Sequence, residues 1–187
     1  MLFRSGRLKA GQTVLVNGAS GGVGTFAVQL AKHYGAEVTA VCSTRNVDSV
    51  RALGADHVVD YTREDFTRSD QRYDLLFDNA GNRSFSACKR VLAPRATIVL
   101  VGGSMRNPLL GPLGHIVRFR LRSMLGSRKA VFFVAKFNEA DLDVLRELLE
   151  TSKLSPAIDR RYELSDVADA LRYLGEGHAR GKVVLTV

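Results

Sequence analysis

Ala19, Gly21 and Gly24 stand in the spacing A-x-G-x-x-G within the run 14–25, one step from G-x-G-x-x-G. The chemistry open to such a run is the gripping of a diphosphate. A small residue at 19 permits a tight turn, the bare backbone of Gly21 can approach a pyrophosphate, and Gly24 lets a following helix lie close to the preceding strand. The N–H groups of Gly22, Val23 and Gly24 would then point from a helix N-terminus toward phosphate oxygens. Ser20, Gly21, Gly22, Val23 and Gly24 are therefore the first candidate contacts. No Gly-Lys-Ser/Thr follows, which excludes a nucleoside-triphosphate P-loop.

The second chemical position lies about 20 residues further on. A site for NADH carries a carboxylate there to bind the adenosine ribose 2′-hydroxyl. Here the second strand runs into Val41, Cys42, Ser43, Thr44 and Arg45, with no acid. Hydroxyls and a guanidinium suit a 2′-phosphate, which a carboxylate would repel. Ser43 and Arg45 therefore favour NADPH over NADH.

Other chemistries find little support. The two cysteines, Cys42 and Cys88, lack CxxC spacing, and the four histidines are scattered, so no zinc or other metal site is expected. Two reduced thiols point to a cytoplasmic protein. No run is long and apolar enough for a membrane span, and the first residues lack the apolar centre of a secretory signal. The net charge is +8, and residues 104–136 supply seven of those charges (Arg106, Arg118, Arg120, Arg122, Arg128, Lys129, Lys136) without an acid. This local patch reads as a solvated face, partly an Arg-bearing helix around 116–125, and not as a nucleic-acid surface.

These residues need a scaffold, and the pattern describes one. Short β-branched runs at 13–17, 37–41, 57–59, 74–78, 97–101, 130–134 and 182–187 read as strands. Helices are expected over 23–34, stopped by Gly35, over 46–53, stopped by Gly54, and over 85–92, stopped by Pro94. Two more are expected over 140–149, capped by Asn138, and over 166–174, capped by Ser165. Alternation of this kind implies an α/β fold: a doubly wound, mostly parallel sheet of Rossmann type with helices on both faces.

Five segments, taken in order, resemble a known family. They are NGASGGVGTFAVQLAKHYGAEV, LGADHVVDYT, DLLFDNAG, ATIVLVGG and ARGKVVLTV. Together they resemble the cofactor domain of the medium-chain dehydrogenase/reductase superfamily, in its zinc-less NADPH quinone oxidoreductase branch. The resemblance implies roles at matching positions. Tyr61 would contact the adenosine 2′-phosphate, and Asn79 with Gly81 would lie along the cofactor. Gly102 and Gly103 would turn beneath the nicotinamide, and the Phe133 and Val134 backbone would meet its carboxamide.

The resemblance also implies an activity: NADPH-dependent, zinc-independent hydride transfer to a small-molecule quinone, enone or similar activated alkene. Family members carry a GroES-like substrate domain ahead of the cofactor domain. Residues 1–187 are accordingly expected to form the dinucleotide-binding domain, with 175–187 a tail strand that returns to that other domain. No residue of the chain is assigned a catalytic role. The alternative is a nucleotide-binding module without independent catalysis. A homodimer is compatible with either reading.

Overall fold

A computed structural model describes residues 6–101, 129–132 and 138–187. The Arg-rich run 104–128, Gly102, Gly103, Phe133 and Val134 lie outside the described residues.

Six parallel strands form the main sheet: β1 (Thr13–Asn17), β2 (Glu37–Cys42), β3 (His57–Asp60), β4 (Tyr73–Asp78), β5 (Leu92–Leu100) and β6 (Lys129–Phe132). Their order is β3-β2-β1-β4-β5-β6, the doubly wound arrangement expected from the alternation of elements. The strand order reverses between β1 and β4, so a crevice opens at the carboxyl ends of those two strands.

Successive side chains of a strand face opposite sides, and the core divides accordingly. Val14, Val16, Val38, Leu75, Phe77 and Val99 join one buried cluster. Leu15, Val41, Leu76, Ile98 and Leu100 join the other. Each fully buried leucine or phenylalanine contributes roughly 1.5–3 kcal/mol. The first layer is closed by α1 (Gly24–His33), α2 (Val47–Ala52) and α4 (Glu139–Glu150), through Ala27, Val28, Leu30, Val50 and Leu148. The second is closed by α3 (Phe85–Lys89) and by Phe66, with Phe85 and Cys88 buried.

Helix ends follow local chemistry. At the end of α1, Gly35 adopts φ +76° and the Ala36 N–H donates to the Ala31 carbonyl, closing the helix as the glycine predicts. Asn138 Oδ1 accepts from the Ala140 N–H, the expected cap of α4. Ser165 does not cap the last helix. α5 spans Val167–Gly175, and a 3₁₀ turn over Leu164–Asp166 places Asp166 at its start without a side-chain cap bond.

Two further expectations change. The helix expected over 85–92 stops at Lys89, and β5 begins at Leu92. The Tyr73 N–H takes the Val91 carbonyl, while Leu92 is buried against the core. Pro94 is accommodated because the β4–β5 ladder shifts register between Tyr73 and Leu75, so its missing N–H is not needed. A strand absent from the sequence reading, β7 (Ile158–Glu163), pairs in parallel with β8 (Lys182–Thr186) as a separate two-stranded sheet. Its sequence IDRRYE carries too many charges to read as a buried strand.

Candidate functional site

The glycine loop leaves β1 at Asn17 and enters α1 at Gly24, at the carboxyl edge where the strand order reverses. Backbone bonds hold neighbouring strand ends in line. The Ala19 N–H donates to Val41 O, Asn79 N–H to Asn17 O, Tyr61 N–H to Cys42 O and Val101 N–H to Asp78 O. One edge therefore gathers Ser20 to Gly24, Ser43, Arg45, Tyr61 and Asn79 from four separate strand ends.

The three glycines of the loop have three different reasons. A Cβ on Gly24 would stand 2.1 Å from Gly18 O and 2.7 Å from Ala19 Cα, so close helix–strand approach demands glycine there. A Cβ on Gly21 would meet nothing nearer than Gly18 O at 3.6 Å and Asn79 Nδ2 at 3.8 Å. These are ordinary van der Waals contacts, so the protein's own packing does not require glycine there. A Cβ on Gly22 would stand 3.0 Å from Gly181 O and 3.3 Å from Lys182 Nζ, so Gly22 is bare because the start of β8 lies against it.

The start of α1 carries polar groups without protein partners among the described residues. No acceptor among the described residues takes the Gly22 or Val23 N–H. Neither a side-chain cap nor an acid occupies the first turn of α1, so the positive end of its dipole is uncompensated. The Thr25 hydroxyl, buried in that turn, is also without a partner.

Lys182 is the cation that sequence reasoning missed. Its Nζ lies 5.6 Å from the centre of the Phe26 ring, and it has no ion-pair partner among the described residues. The approach depends on the β7–β8 unit being pinned to α1. The Gln29 side chain donates to Ser155 O at 2.9 Å and accepts from the Ser155 N–H at 2.9 Å. The only signal in the sequence is the Gly181-Lys182 pair that opens the last strand.

The ledge beyond β2 is also more specific than its sequence. Arg45 Nη2 donates to His178 O at 3.2 Å, while Tyr61 is exposed at the end of β3. The Thr44 hydroxyl donates to Asp60 Oδ2 at 2.5 Å, and the Thr62 hydroxyl and N–H donate to Asp60 Oδ1 at 2.7 and 2.9 Å. The Thr44 hydroxyl, followed by those of Thr62, holds the Asp60 carboxyl below the usual carboxylate range despite its burial. An acid thus stands near this ledge after all, supplied by β3. Its oxygens are committed to Thr44, Thr62 and the Arg63 guanidinium.

At the strand-order reversal, Asn17 Nδ2 donates to Asp78 Oδ1 at 2.8 Å and to Asn82 Oδ1 at 3.1 Å, and the Gly81 N–H donates to Asp78 Oδ1. These bonds fix the turn that carries Asn79. Among the described residues no three His, Cys, Asp or Glu side chains converge on a metal position. Burial pushes the Cys42 thiol up to about 11 and the Cys88 thiol to about 12, leaving both poor nucleophiles. An open cavity of about 570 Å³ lies elsewhere, on the β7–α5 unit between Arg160, Tyr162 and Tyr173. No described helix is long and apolar enough to cross a membrane.

Comparison with known proteins agrees with this geometry. The family described as zinc-binding dehydrogenase matches residues 53–185. The NAD(P)H oxidoreductase RTN4IP1, mitochondrial, of Mus musculus is 36% identical over 95% of this chain and 48% of its own length. The NADPH-dependent alkenal/one oxidoreductase, chloroplastic, of Arabidopsis thaliana is 35% identical over 94% of this chain and 41% of its own. The quinone oxidoreductase structure from Coxiella burnetii superimposes with a TM-score of 0.85 at 30% identity, covering 100% of this chain and 56% of that one. The chain spans about half the length of the relatives it matches.

Proposed function

Because the chain belongs to the zinc-binding dehydrogenase family, we propose that it is the dinucleotide-binding domain of an NADPH-dependent reductase of quinones, enones or similar activated alkenes. The single observation that carries this reading is the pair of unpartnered Gly22 and Val23 amides beside Gly21, where a side chain would meet only ordinary contacts. A packing role explains Gly24 and Gly22 but not Gly21. The relatives named above are oxidoreductases, which favours catalysis over a nucleotide-binding module without it.

When bound, NADPH supplies the hydride. The chain's own residues bind and orient. The Gly22 and Val23 amides and the α1 dipole would hold the pyrophosphate, with the Lys182 ammonium adding a mobile charge from β8. Ser43 and Arg45 would hold the adenosine 2′-phosphate, with Tyr61 beside it. Ser20 and Asn79 would flank the diphosphate, and Gly102, Gly103, Phe133 and Val134 would complete the nicotinamide end. The preference for NADPH over NADH rests on Ser43 and Arg45, and on Asp60 having its charge committed to Thr44 and Thr62.

The zinc-independent reading rests on the sequence, where the four histidines are scattered and the two cysteines lack ligand spacing. The domain reading assigns residues 1–187 to dinucleotide binding, with the β7–β8 unit meeting a substrate domain. Exposed Leu164, Leu171, Leu174 and Leu185 on that unit support it. The buried free thiols fit a reducing compartment such as the cytoplasm, although two relatives are named mitochondrial and chloroplastic.

The test is a titration of the chain with NADPH and NADH, followed by nicotinamide fluorescence in a protein without tryptophan. NADPH is expected to bind at least tenfold more tightly, about 1.4 kcal/mol. Equal affinities would remove the NADPH assignment, and no binding of either would remove the whole reading.

A further inference from the structure

Asn46 joins two parts of the site that are separate in sequence. It is 4% exposed, at the end of the 3₁₀ turn Thr44–Asn46. Its side-chain Nδ2 donates to Ser20 Oγ at 3.0 Å, in the glycine loop, and to Ser43 Oγ at 3.1 Å, on the β2 ledge. Its backbone is fixed on both sides: its N–H donates to Ser43 O at 2.9 Å, and its carbonyl accepts from Ser49 Oγ at 2.8 Å.

The direction of these bonds has a chemical consequence. A serine hydroxyl that accepts from an amide still carries its own proton. Among the described residues neither Ser20 nor Ser43 places that proton on a protein acceptor. Both hydroxyls therefore keep a proton without a described protein acceptor. The amide holds this orientation although its own Oδ1 is buried without a donor.

Thr44 provides the contrast. Its hydroxyl follows Ser43 directly in sequence but donates to Asp60. Of the hydroxyls at 43 and 44, only that of Ser43 is left with a proton to offer.

We propose that Asn46 is the positioning residue of the dinucleotide site: its amide bridges Ser20 and Ser43 and holds both hydroxyls in place to donate to the phosphate oxygens of a 2′-phosphorylated dinucleotide. The proposal rests on the reading of this edge as a dinucleotide site. Asn46 touches no ligand in this scheme and acts through the two serines.

The test is a mutant cycle on the whole chain, read by NADPH and NADH titration together with thermal unfolding. Asn46→Asp is nearly isosteric, and its carboxylate accepts both serine protons. It is expected to weaken NADPH at least about thirtyfold and NADH about fivefold or less. In the Ser20→Ala/Ser43→Ala background the same substitution, and Asn46→Ala, are expected to change NADPH affinity less than about threefold. An undiminished loss in that background would show that added charge alone acts, and would overturn the proposal. A lowered Tm with unchanged affinities in the Asn46 variants would also overturn it. Should the Asn46 variants not fold, Ser43→Ala alone decides. It is expected to weaken NADPH about tenfold and NADH little, and equal NADPH affinity defeats the proposal. Failure of the unaltered chain to bind either dinucleotide defeats the site reading itself, and the Asn46 role with it. NADPH binding in the unaltered chain with an additive cycle defeats only the role of Asn46.

Discussion

A Cβ on Gly22 would lie 3.0 Å from the carbonyl oxygen of Gly181, so the turn after β1 lies against the residue that precedes β8 in the second sheet. The contact makes glycine-loop substitutions informative, because each glycine answers to a different neighbour. Gly24→Ala drives a methyl group into backbone and is expected to cost roughly 3 kcal/mol or more, about 6–12 °C in Tm for a chain of this size. Gly21→Ala meets only ordinary contacts and should leave Tm within about 2 °C while weakening NADPH at least tenfold. Calorimetry and titration of the pair check this. A Gly21→Ala protein that binds NADPH normally would empty the cradle of meaning.

Lys182 faces that loop from β8 without a carboxylate partner among the described residues. Lys182→Gln removes the charge that stands 5.6 Å from the centre of the Phe26 ring. The expected result is a loss of about tenfold in affinity for NADPH and NADH alike, about 1.4 kcal/mol, since the diphosphate is common to both. The loss should shrink as salt rises. A loss confined to NADPH would place Lys182 at the 2′-phosphate instead.

Arg45 tests the other end of the same cofactor. Its one described bond is to the His178 carbonyl, which a phosphate can displace at little cost. Arg45→Ala is expected to lower NADPH affinity by about 1.5–3 kcal/mol and leave NADH nearly unchanged. Parallel loss for both dinucleotides would mean that the guanidinium serves only the fold.

The Asp60 carboxyl is held below its ordinary range, first by the Thr44 hydroxyl and then by Thr62. A group whose folded pKa lies below its unfolded one stabilises the fold above about pH 4, and that contribution fades as pH falls through the lowered value. Urea midpoints measured from pH 6 to pH 2 should therefore fall less steeply in Asp60→Asn than in the parent. Superimposable profiles would contradict the assignment.

Cys42 and Cys88 are buried and free, with thiols raised to about 11 and about 12. At pH 8 an aromatic disulfide reagent should react with neither in the native protein and with both once urea unfolds it. Rapid labelling of the folded chain would show a thiol on the surface.

Much of the architecture was legible in the residues because it depends on period and punctuation. The β-branched runs around Val16, Val41 and Phe77 alternate between two buried faces, and Gly35 and Asn138 end or begin helices by chemistry local to them. The failures have equally local causes. Pro94 marked a helix stop, yet a register shift let the strand run through it. Ser165 had the type of a cap, but a 3₁₀ turn moved the helix start past it. β7 was hidden by the charges of Asp159, Arg160, Arg161 and Glu163, which an edge pairing can leave in solvent.

By itself, the order of residues determined the alternation of strands and helices, the glycine spacing of the loop from Ala19 to Gly24, and the absence of an acid directly after β2. Those features depend on spacing within a few turns of chain. Tertiary structure alone decided that Gly22 makes room for Gly181, that Lys182 reaches the loop, that Asp60 spends its charge on Thr44, and that Asn46 ties Ser20 to Ser43. Each of these joins groups from different strand ends, and parallel pairing at the carboxyl edge, not local propensity, brings such ends together.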